Sequence, residues 1–318
     1  MPQTVRLVGL DISKRKVDAC IRSLDLQSSM PSTADGRATL IGWLRANEVL
    51  LAVMEASGGY EQPWAEALRE AGIAVRIVDP KRVRYFAKSA GKLAKNDPID
   101  AAMIARYGET FRDALDQPQE PRNEELDRLM TARAGLLRMQ TQIESQSEHQ
   151  QPRTITAAHR AVLRTLRAQL AKLEAVIAAK IKADPHAARR AEIVESVPGL
   201  GAQTAAGLLA WLPELGRISD KAAAALVGIA PYDDDSGEHK GKRIIKGGRR
   251  KLRNLLYMPI MGAATQHNPV LKAYYERLRA NGKEAKVAFV ACMRKLIVIL
   301  NTMLARDQTW NPPARATA

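Results

Sequence analysis

The chain has 318 residues, which is enough for about two domains and for a full hydrophobic core. Its formal net charge of +15 at pH 7 predicts a polyanionic partner, although charge alone would also fit a merely basic protein. Its two cysteines, Cys20 and Cys292, lie far apart in the chain and exclude both a disulfide framework and a zinc site, so we expect two small buried side chains.

No apolar run in the sequence reaches the roughly 18 residues that a membrane helix needs. The first residues also lack the pattern of a signal peptide. We therefore expect a cytoplasmic protein.

The N-terminal segment, up to about residue 108, alternates strand and helix patterns. Val5–Asp11 and Val17–Arg22 are short β-rich runs on either side of a turn-like segment, which predicts a hairpin. The apolar run Val49–Met54 is typical of a buried central strand, and Pro98 suits the first turn of a helix through Ala101–Tyr107. With predicted helices at Arg37–Arg45 and Glu61–Glu70 and a strand at Ile73–Val78, the order ββ(β)αβαβαα resembles an RNase H-like α/β fold.

Two long helices with an apolar seam are predicted between Asn123 and Ile181. The polar stretch Gln150–Thr154 separates them, which predicts an antiparallel coiled-coil hairpin; an ordinary helical subdomain fits the same pattern. The seam consists of Leu129, Ala132, Leu136, Met139 and Ile143 on the first helix and Leu163, Leu166, Leu170, Leu173 and Ile177 on the second.

The last segment, from about Ala191 to Asn311, is predicted to be mostly helical with glycine-rich interruptions. Residues Val197–Gly201, followed by Ala205–Trp211, have the pattern of a helix-hairpin-helix turn. In such a turn glycines let backbone amides approach a phosphate at a helix N-terminus. A tight turn between two helices with no ligand fits the same residues equally well.

Four acidic residues, Asp11, Glu55, Asp97 and Asp100, occur where a carboxylate is otherwise a poor choice. Asp11 and Glu55 each end an apolar run, while Asp97 and Asp100 lie three apart at a helix start. Carboxylates gathered in this way hold Mg²⁺ or Mn²⁺, and in a basic chain this predicts phosphodiester chemistry on nucleic acid. Taken singly, Asp97 would also serve as a helix N-cap and Asp11 as a strand-end turn residue.

The acidic blocks 8–13, 54–60 and 94–101 resemble those of the DEDD transposases, the Piv/MooV or insertion-sequence-110 family. The resemblance extends over nearly the whole chain, because blocks of the C-terminal part also match in order and spacing. These are Pro198–Gly201, Gly228–Pro231, Asp235–Gly237, Lys246–Gly248 and Leu255–Pro259.

The resemblance implies a transposase or site-specific DNA recombinase. It implies that Asp11, Glu55, Asp97 and Asp100 hold Mg²⁺ or Mn²⁺ and that Ser236 attacks DNA, although Ser236 by its local sequence is an ordinary turn serine. It further implies a homodimer or tetramer with a composite site, a structured non-coding guide RNA and a prokaryotic, nucleoid-associated location. The expected domains are a RuvC-like domain (1–115), a helical hairpin (116–185), a C-terminal domain (186–311) and a disordered tail (312–318).

Two basic segments lie next to these candidate residues and are predicted to contact phosphates. One leads into Asp97, contains no acidic residue and includes Tyr85 and Phe86; one of these two rings suits stacking on a base, and core packing is expected for at least one. The other follows Ser236. The predicted phosphate contacts are Lys81, Arg82, Arg84, Lys88, Lys92 and Lys95 in the first segment and Lys240, Lys242, Arg243, Lys246, Arg249, Arg250 and Arg253 in the second.

Two other functions remain open on the sequence alone. A metal-dependent, RuvC-like nuclease would use the same carboxylates with water as the nucleophile and would form no covalent intermediate. A non-catalytic nucleic-acid-binding module would use the charge without the carboxylates. Substitution of Ser236 separates the first from a recombinase, and substitution of Asp11 identifies the second.

Overall fold

The computed structural model describes residues 6–91, 97–112, 123–149, 152–232 and 244–311, without the side chains of residues 97–99. The chain divides into two compact units, Met1–Gln119 and Glu120–Ala318. The finer division into a metal-binding domain, a hairpin and a C-terminal domain stays a prediction, and the predicted disordered tail lies outside the described residues.

The first unit is built on a five-stranded mixed sheet with the strand order β3-β2-β1-β4-β5. The predicted hairpin is confirmed, because β1 and β2 pair antiparallel, as do β2 and β3. In contrast, β4 runs parallel to both β1 and β5, so these three strands end at the same edge of the sheet. The strands are β1 (Arg6–Ile12), β2 (Lys16–Ile21), β3 (Leu26–Pro31), β4 (Val49–Glu55) and β5 (Ala74–Val78).

Helices cover both faces of this sheet. On one face Val8 and Leu10 of β1 pack with side chains of α1 (Ala34–Ala46) and α2 (Gln62–Glu70). On the other face Leu7 packs with side chains of α3 (Pro80–Ser89) and α4 (Asp97–Thr110). The predicted order of strands and helices is thus confirmed, with β3 as the strand that the sequence placed least clearly.

The close approach of α4 to the sheet depends on Gly9. A Cβ atom at this position would collide with the backbone oxygen of Ala101 and the backbone nitrogen of Ala105. Only glycine therefore lets the start of α4 lie directly on β1, two residues before Asp11.

The second unit is helical apart from a two-residue pairing of β6 (Pro231–Tyr232) with β7 (Ile244–Ile245). Together the two units make a mixed α/β fold followed by a mostly helical one, as the sequence predicts. The described helices of this unit are α5 (Glu124–Gln146), α6 (Arg153–Ala183), α7 (Pro185–Glu195), α8 (Ala202–Trp211), α9 (Asp220–Val227), α10 (Arg250–Gly262), α11 (Pro269–Ala280) and α12 (Ala285–Ala305).

Helices α5 and α6 form the predicted antiparallel hairpin. Arg133 of α5 is ion-paired with Glu174 of α6 at 2.6 Å, and Glu144 is paired with Arg167 at 3.0 Å, so the two helices run in opposite directions. At the base, Leu126, Met130 and Ile177 are buried in the core that α8, α10 and α12 share. Farther out the seam is less covered, and Met139 is 55% exposed. The coiled-coil interpretation stays a prediction.

Two sequence features find a packing explanation in this unit. Gly199 has a φ of +93°, and a Cβ atom there would collide with Ala263, so both the backbone conformation and the packing of the turn between α7 and α8 require glycine. Helix α12 is the one described helix that is long and apolar enough to cross a membrane. Its side chains Cys292, Met293, Leu296 and Ile297 are instead fully buried in the core of the unit.

Candidate active site

Asp11 and Glu55 lie at neighbouring strand ends on one face of the sheet. The parallel register pairs Leu10 with Met54, and carried one residue further it places Asp11 beside Glu55. Because side chains alternate along a strand, Asp11 shares a face with Leu7, and Glu55 shares that face with Val53. The face is the one that α3 and α4 cover.

Helix α4 brings Asp100 to the same region. Ala101 lies on Gly9 of β1, and Asp100 precedes Ala101 in the helix, so its backbone is close to the end of β1. The backbone of Asp97 begins this helix, but its side chain lies outside the described residues. All four predicted carboxylates thus belong to β1, β4 or α4, and only the side chain of Asp97 is left untested.

The donor chemistry at this edge suits a hard divalent cation, since carboxylate oxygens are the ligands that Mg²⁺ and Mn²⁺ prefer. The described side chains nevertheless contain no group of three or more His, Cys, Asp or Glu residues arranged to hold a metal ion. Asp11, Glu55 and Asp100 each have an interaction within the protein. The backbone positions and the residue types therefore fit a metal site. The described side chains, however, are not arranged around a common point where a metal ion could bind.

A further carboxylate, Asp18, lies next to Asp11. The register of β1 and β2 pairs Asp11 directly with Asp18, so the two side chains are on the same face of the sheet. Asp18 is 9% exposed, and its Oδ2 accepts from the Nζ of Lys16 at 2.9 Å. We did not predict this residue from the sequence, although a two-residue turn at residues 14–15 fixes the pairing.

The loop after Glu55 is held by the buried carboxylate of Glu61, which is 5% exposed. Its Oε2 accepts hydrogen bonds from the backbone amides of Ser57 and Gly59, both at 2.9 Å, and from the hydroxyl of Ser57 at 3.0 Å. Burial raises the pKa of Glu61, but these hydrogen bonds and its own backbone amide outweigh burial, so the pKa lies below its usual value. Glu61 is thus an ionised anchor for the chain that follows Glu55.

The basic helix α3 starts at the same edge of the sheet. Lys81, Arg82, Arg84 and Lys88 are all exposed, and Tyr85 is 69% exposed among them. Phe86 instead packs edge-on against Tyr107 and Phe111, with ring centroids 5.6 and 5.7 Å away. The expectation that one of the two rings belongs to the core is confirmed for Phe86, and α3 presents a basic face with one aromatic ring.

The basic residues around the start of α10 fall into two groups. Lys246 and Arg250 are exposed. Arg249 instead makes a two-bond ion pair with Glu214, with nitrogen–oxygen distances of 2.7 and 2.6 Å, and it also donates to the backbone oxygen of Trp211. Arg253 donates to the backbone oxygen of Gly228 at 2.9 Å. The protein itself therefore engages two of the predicted phosphate contacts.

Several predicted site residues lie outside the described part of the chain. They include the candidate nucleophile Ser236 and basic residues of both predicted phosphate-binding segments, so their placement stays a prediction. The basic residues in question are Lys92, Lys95, Lys240, Lys242 and Arg243.

Comparison with known proteins assigns the class. Residues 8–150 match a family model described as a transposase, and residues 191–276 match a model of the transposase IS116/IS110/IS902 family. The chain is therefore a DNA transposase or recombinase. Because the two matches together span well over half of the chain, it belongs to the IS110 family of transposases.

Individual relatives agree with this family. The chain is 27% identical to the pilin gene-inverting protein of Moraxella lacunata over 317 residues, which cover 96% of this chain and 97% of that protein. It is 34% identical to an uncharacterized 43.6 kDa protein of insertion element IS110 from Streptomyces coelicolor, over 43% of this chain and 33% of that protein. A 42 kDa protein of IS900 from Mycobacterium paratuberculosis is also 34% identical, over 41% of this chain.

Proposed function

We propose that this transposase cuts and rejoins DNA with a magnesium-binding carboxylate site, made by Asp11, Glu55, Asp97 and Asp100, and with Ser236 as the nucleophile. The observation that carries the proposal is the placement of Asp11 and Glu55 at adjacent parallel strand ends, on the face where α4 brings Asp100. The site would hold Mg²⁺ or Mn²⁺, and the bound ions would stabilise negative charge on the reacting phosphate.

The residues of the first unit position the substrate for this reaction. The carboxylates fix the place of the scissile phosphate, and the exposed lysines and arginines of α3 hold the neighbouring phosphates. Tyr85 provides an exposed ring for an unstacked base. In this arrangement the basic residues of α3 offset the repulsion between the carboxylates and the DNA phosphates.

The chemical step proposed for Ser236 is a transesterification. Its hydroxyl oxygen attacks the phosphorus atom and loses its proton, a phosphoserine ester forms, and the bond to the departing strand breaks as that oxygen takes up a proton. A second DNA hydroxyl reverses the step on a new partner, releasing the serine. The ester preserves the bond energy, so that strands are rejoined without a nucleotide cofactor.

The resemblance to the insertion-sequence-110 family supports three further parts of the proposal. A homodimer or tetramer joins two DNA duplexes, and the metal-binding residues of one subunit act with the serine of another. A structured non-coding RNA guides the choice of site, and the protein works in the nucleoid of a prokaryotic cell. The net charge of +15 suits both nucleic acids.

The proposal is tested by incubating the full-length protein with DNA carrying the ends of its own element, RNA transcribed from that element, and Mg²⁺. A denaturing gel and mass spectrometry then detect a DNA strand attached to Ser236. We expect the adduct with the unaltered protein and with the control Ser29→Ala, an exposed serine of β3. We expect none with Ser236→Ala, Asp11→Asn or Glu55→Gln.

The outcomes separate the competing functions. Strand cleavage that survives Ser236→Ala but not Asp11→Asn would identify a nuclease that uses water. Full strand exchange by both Asp11→Asn and Glu55→Gln would remove the carboxylate site from the mechanism.

A further inference from the structure

Helix α6 carries a stripe of four arginines that the active site does not use. Arg153, Arg160, Arg164 and Arg167 follow one another at spacings of seven, four and three residues. With about 3.6 residues per turn, these spacings keep all four on one side of the helix. With a rise of about 1.5 Å per residue, the stripe is roughly 21 Å long.

The charge of this stripe is exposed and largely uncompensated. Arg153, Arg160 and Arg164 are exposed, and among the described residues none forms a hydrogen bond or ion pair with their side chains. Arg167 pairs with Glu144, with the two side chains 63% and 42% exposed. Residues 149–173 contain no aspartate or glutamate at all. A cationic surface of this kind attracts a partner with many negative charges.

Three of the four arginines do not join the two helices of the hairpin, and Arg167 alone does so through its exposed ion pair with Glu144. The seam residues Leu170 and Ile177 are buried, whereas Arg153, Arg160 and Arg164 are exposed to solvent. The ion pairs nearer the base, Arg133 with Glu174 and Lys180 with Glu125, join α5 to α6. Arg160 and Arg164 are instead like charges four residues apart, which destabilise a helix. Arg153, Arg160 and Arg164 thus gain no partner among the described residues, and an external partner best explains why their charges are placed together.

We propose that the arginine stripe of α6 binds the phosphodiester backbone of double-helical nucleic acid. The planar guanidinium group makes paired hydrogen bonds to phosphate oxygens, which a lysine cannot do. A duplex rises by about 3.4 Å per base pair, so a stripe of roughly 21 Å spans about six base pairs along its axis. This contact adds affinity without reading sequence, and it uses none of the residues proposed for the chemistry above. DNA and duplex RNA offer the same phosphates, and the test below separates them.

The test uses the full-length protein with Arg153, Arg160 and Arg164 each changed to Gln. The matched control changes three exposed basic residues elsewhere to Gln, namely Lys172, Lys221 and Arg306, so that the net charge falls equally. Binding to a 30-bp DNA duplex and to a 30-bp RNA duplex is measured between 50 and 300 mM NaCl. Circular dichroism and the melting temperature establish that both variants are folded.

Each lost phosphate contact lowers the slope of log affinity against log salt by about 0.9 for a duplex. We expect the stripe variant to lose between two and three units of slope and the control less than one. A loss on DNA alone, on RNA alone or on both supports the proposal and identifies the ligand. Equal slopes for the stripe variant and the control on both duplexes would overturn it.

This test is independent of the proposed chemistry. Asp11→Asn is expected to keep the full salt slope while losing strand cleavage. If the arginine stripe fails to bind a duplex, the proposed carboxylate site is unaffected. If the carboxylate site proves wrong, the proposed binding by the stripe is unaffected.

Discussion

Asp18 of β2 lies directly opposite Asp11 of β1, and Lys16 on the same strand neutralises it at 2.9 Å. Cross-strand partners are close enough for their charges to interact. The negative potential at Asp11 is therefore set by this neighbouring ion pair as well as by the other predicted metal ligands.

Removing the charge of Asp18 is expected to weaken the binding of Mg²⁺ at the proposed site. We predict that Asp18→Asn raises the Mg²⁺ concentration for half-maximal strand cleavage by about 10-fold, because residues around metal ligands alter affinity by about 10–100-fold. Lys16→Gln is expected to lower that concentration, since it removes the positive charge. Asp25→Asn, in the exposed turn before β3, is the control. An unchanged Mg²⁺ dependence in both variants would mean that the pair only supports the fold.

Gly9 is expected to be intolerant of any side chain. In Gly9→Ala the new Cβ collides with the backbone of α4 at Ala101 and Ala105, so we expect a loss of about 1–3 kcal/mol in the free energy of unfolding and a loss of cleavage. Gly42→Ala is the control, since nothing lies within 4 Å of a Cβ there and alanine favours the helix by up to about 1 kcal/mol. Urea denaturation measures both changes. Equal stability of Gly9→Ala and the natural protein would contradict the close packing.

Glu61 is expected to make stability depend on acid pH. Its pKa is lowered from the usual 4.5, so its contribution is fully present above that pH and is lost as the pH falls through the lower value in the folded protein. Glu61→Gln should therefore cost about 1–3 kcal/mol near neutral pH and progressively less below pH 4.5. Unfolding measured from pH 7 to pH 3 tests this. If the difference in the free energy of unfolding stayed constant over that pH range, the loss would come from altered packing and not from the lost charge.

Neighbouring arginines at the start of α10 are expected to behave differently. Arg249→Gln breaks a half-buried, two-bond pair with Glu214, and we expect it to cost about 1–3 kcal/mol of stability. Arg250→Gln is expected to leave stability within about 0.5 kcal/mol but to weaken DNA binding, because its side chain is exposed. Thermal unfolding and DNA affinity, measured side by side, check the pair. Reversed effects would show that Arg249, not Arg250, contacts phosphate.

Both thiols are expected to be unreactive in the folded protein. Burial raises the pKa of Cys292 to about 11, and burial also raises the pKa of Cys20. Alkylation by iodoacetamide at pH 8 should label neither residue without denaturant and both with it. Rapid labelling of the native protein would contradict the buried positions of these side chains.

Much of the first unit was predictable because its signals are local. The apolar run ending at Glu55 predicts β4, and the short turn between β1 and β2 predicts their pairing. Asp11 and Glu55 could be named as site residues because each ends such a run. Asp18 was not predicted because its position opposite Asp11 follows only from the residue-by-residue pairing of β1 with β2. Glu61 was not predicted because its partners are backbone amides of a loop.

The C-terminal unit was less predictable in detail. Arg249 and Arg250 are adjacent and chemically identical, and only the packing of Glu214 against α10 separates their environments. Gly199 was interpreted as a possible phosphate-binding glycine, yet its contact with Ala263 comes from a residue 64 positions later in the chain. Such long-range contacts leave no local pattern in a sequence.

The base of the α5–α6 hairpin is fused to the core of the second unit through Leu126, Met130 and Ile177, and the indole of Trp211 donates to Asp127 beside it. A helix of 31 residues extends roughly 46 Å from end to end. The hairpin is thus anchored at its base in the core of the second unit. A load attached near its far end would apply torque to the helices that flank the predicted nucleophile.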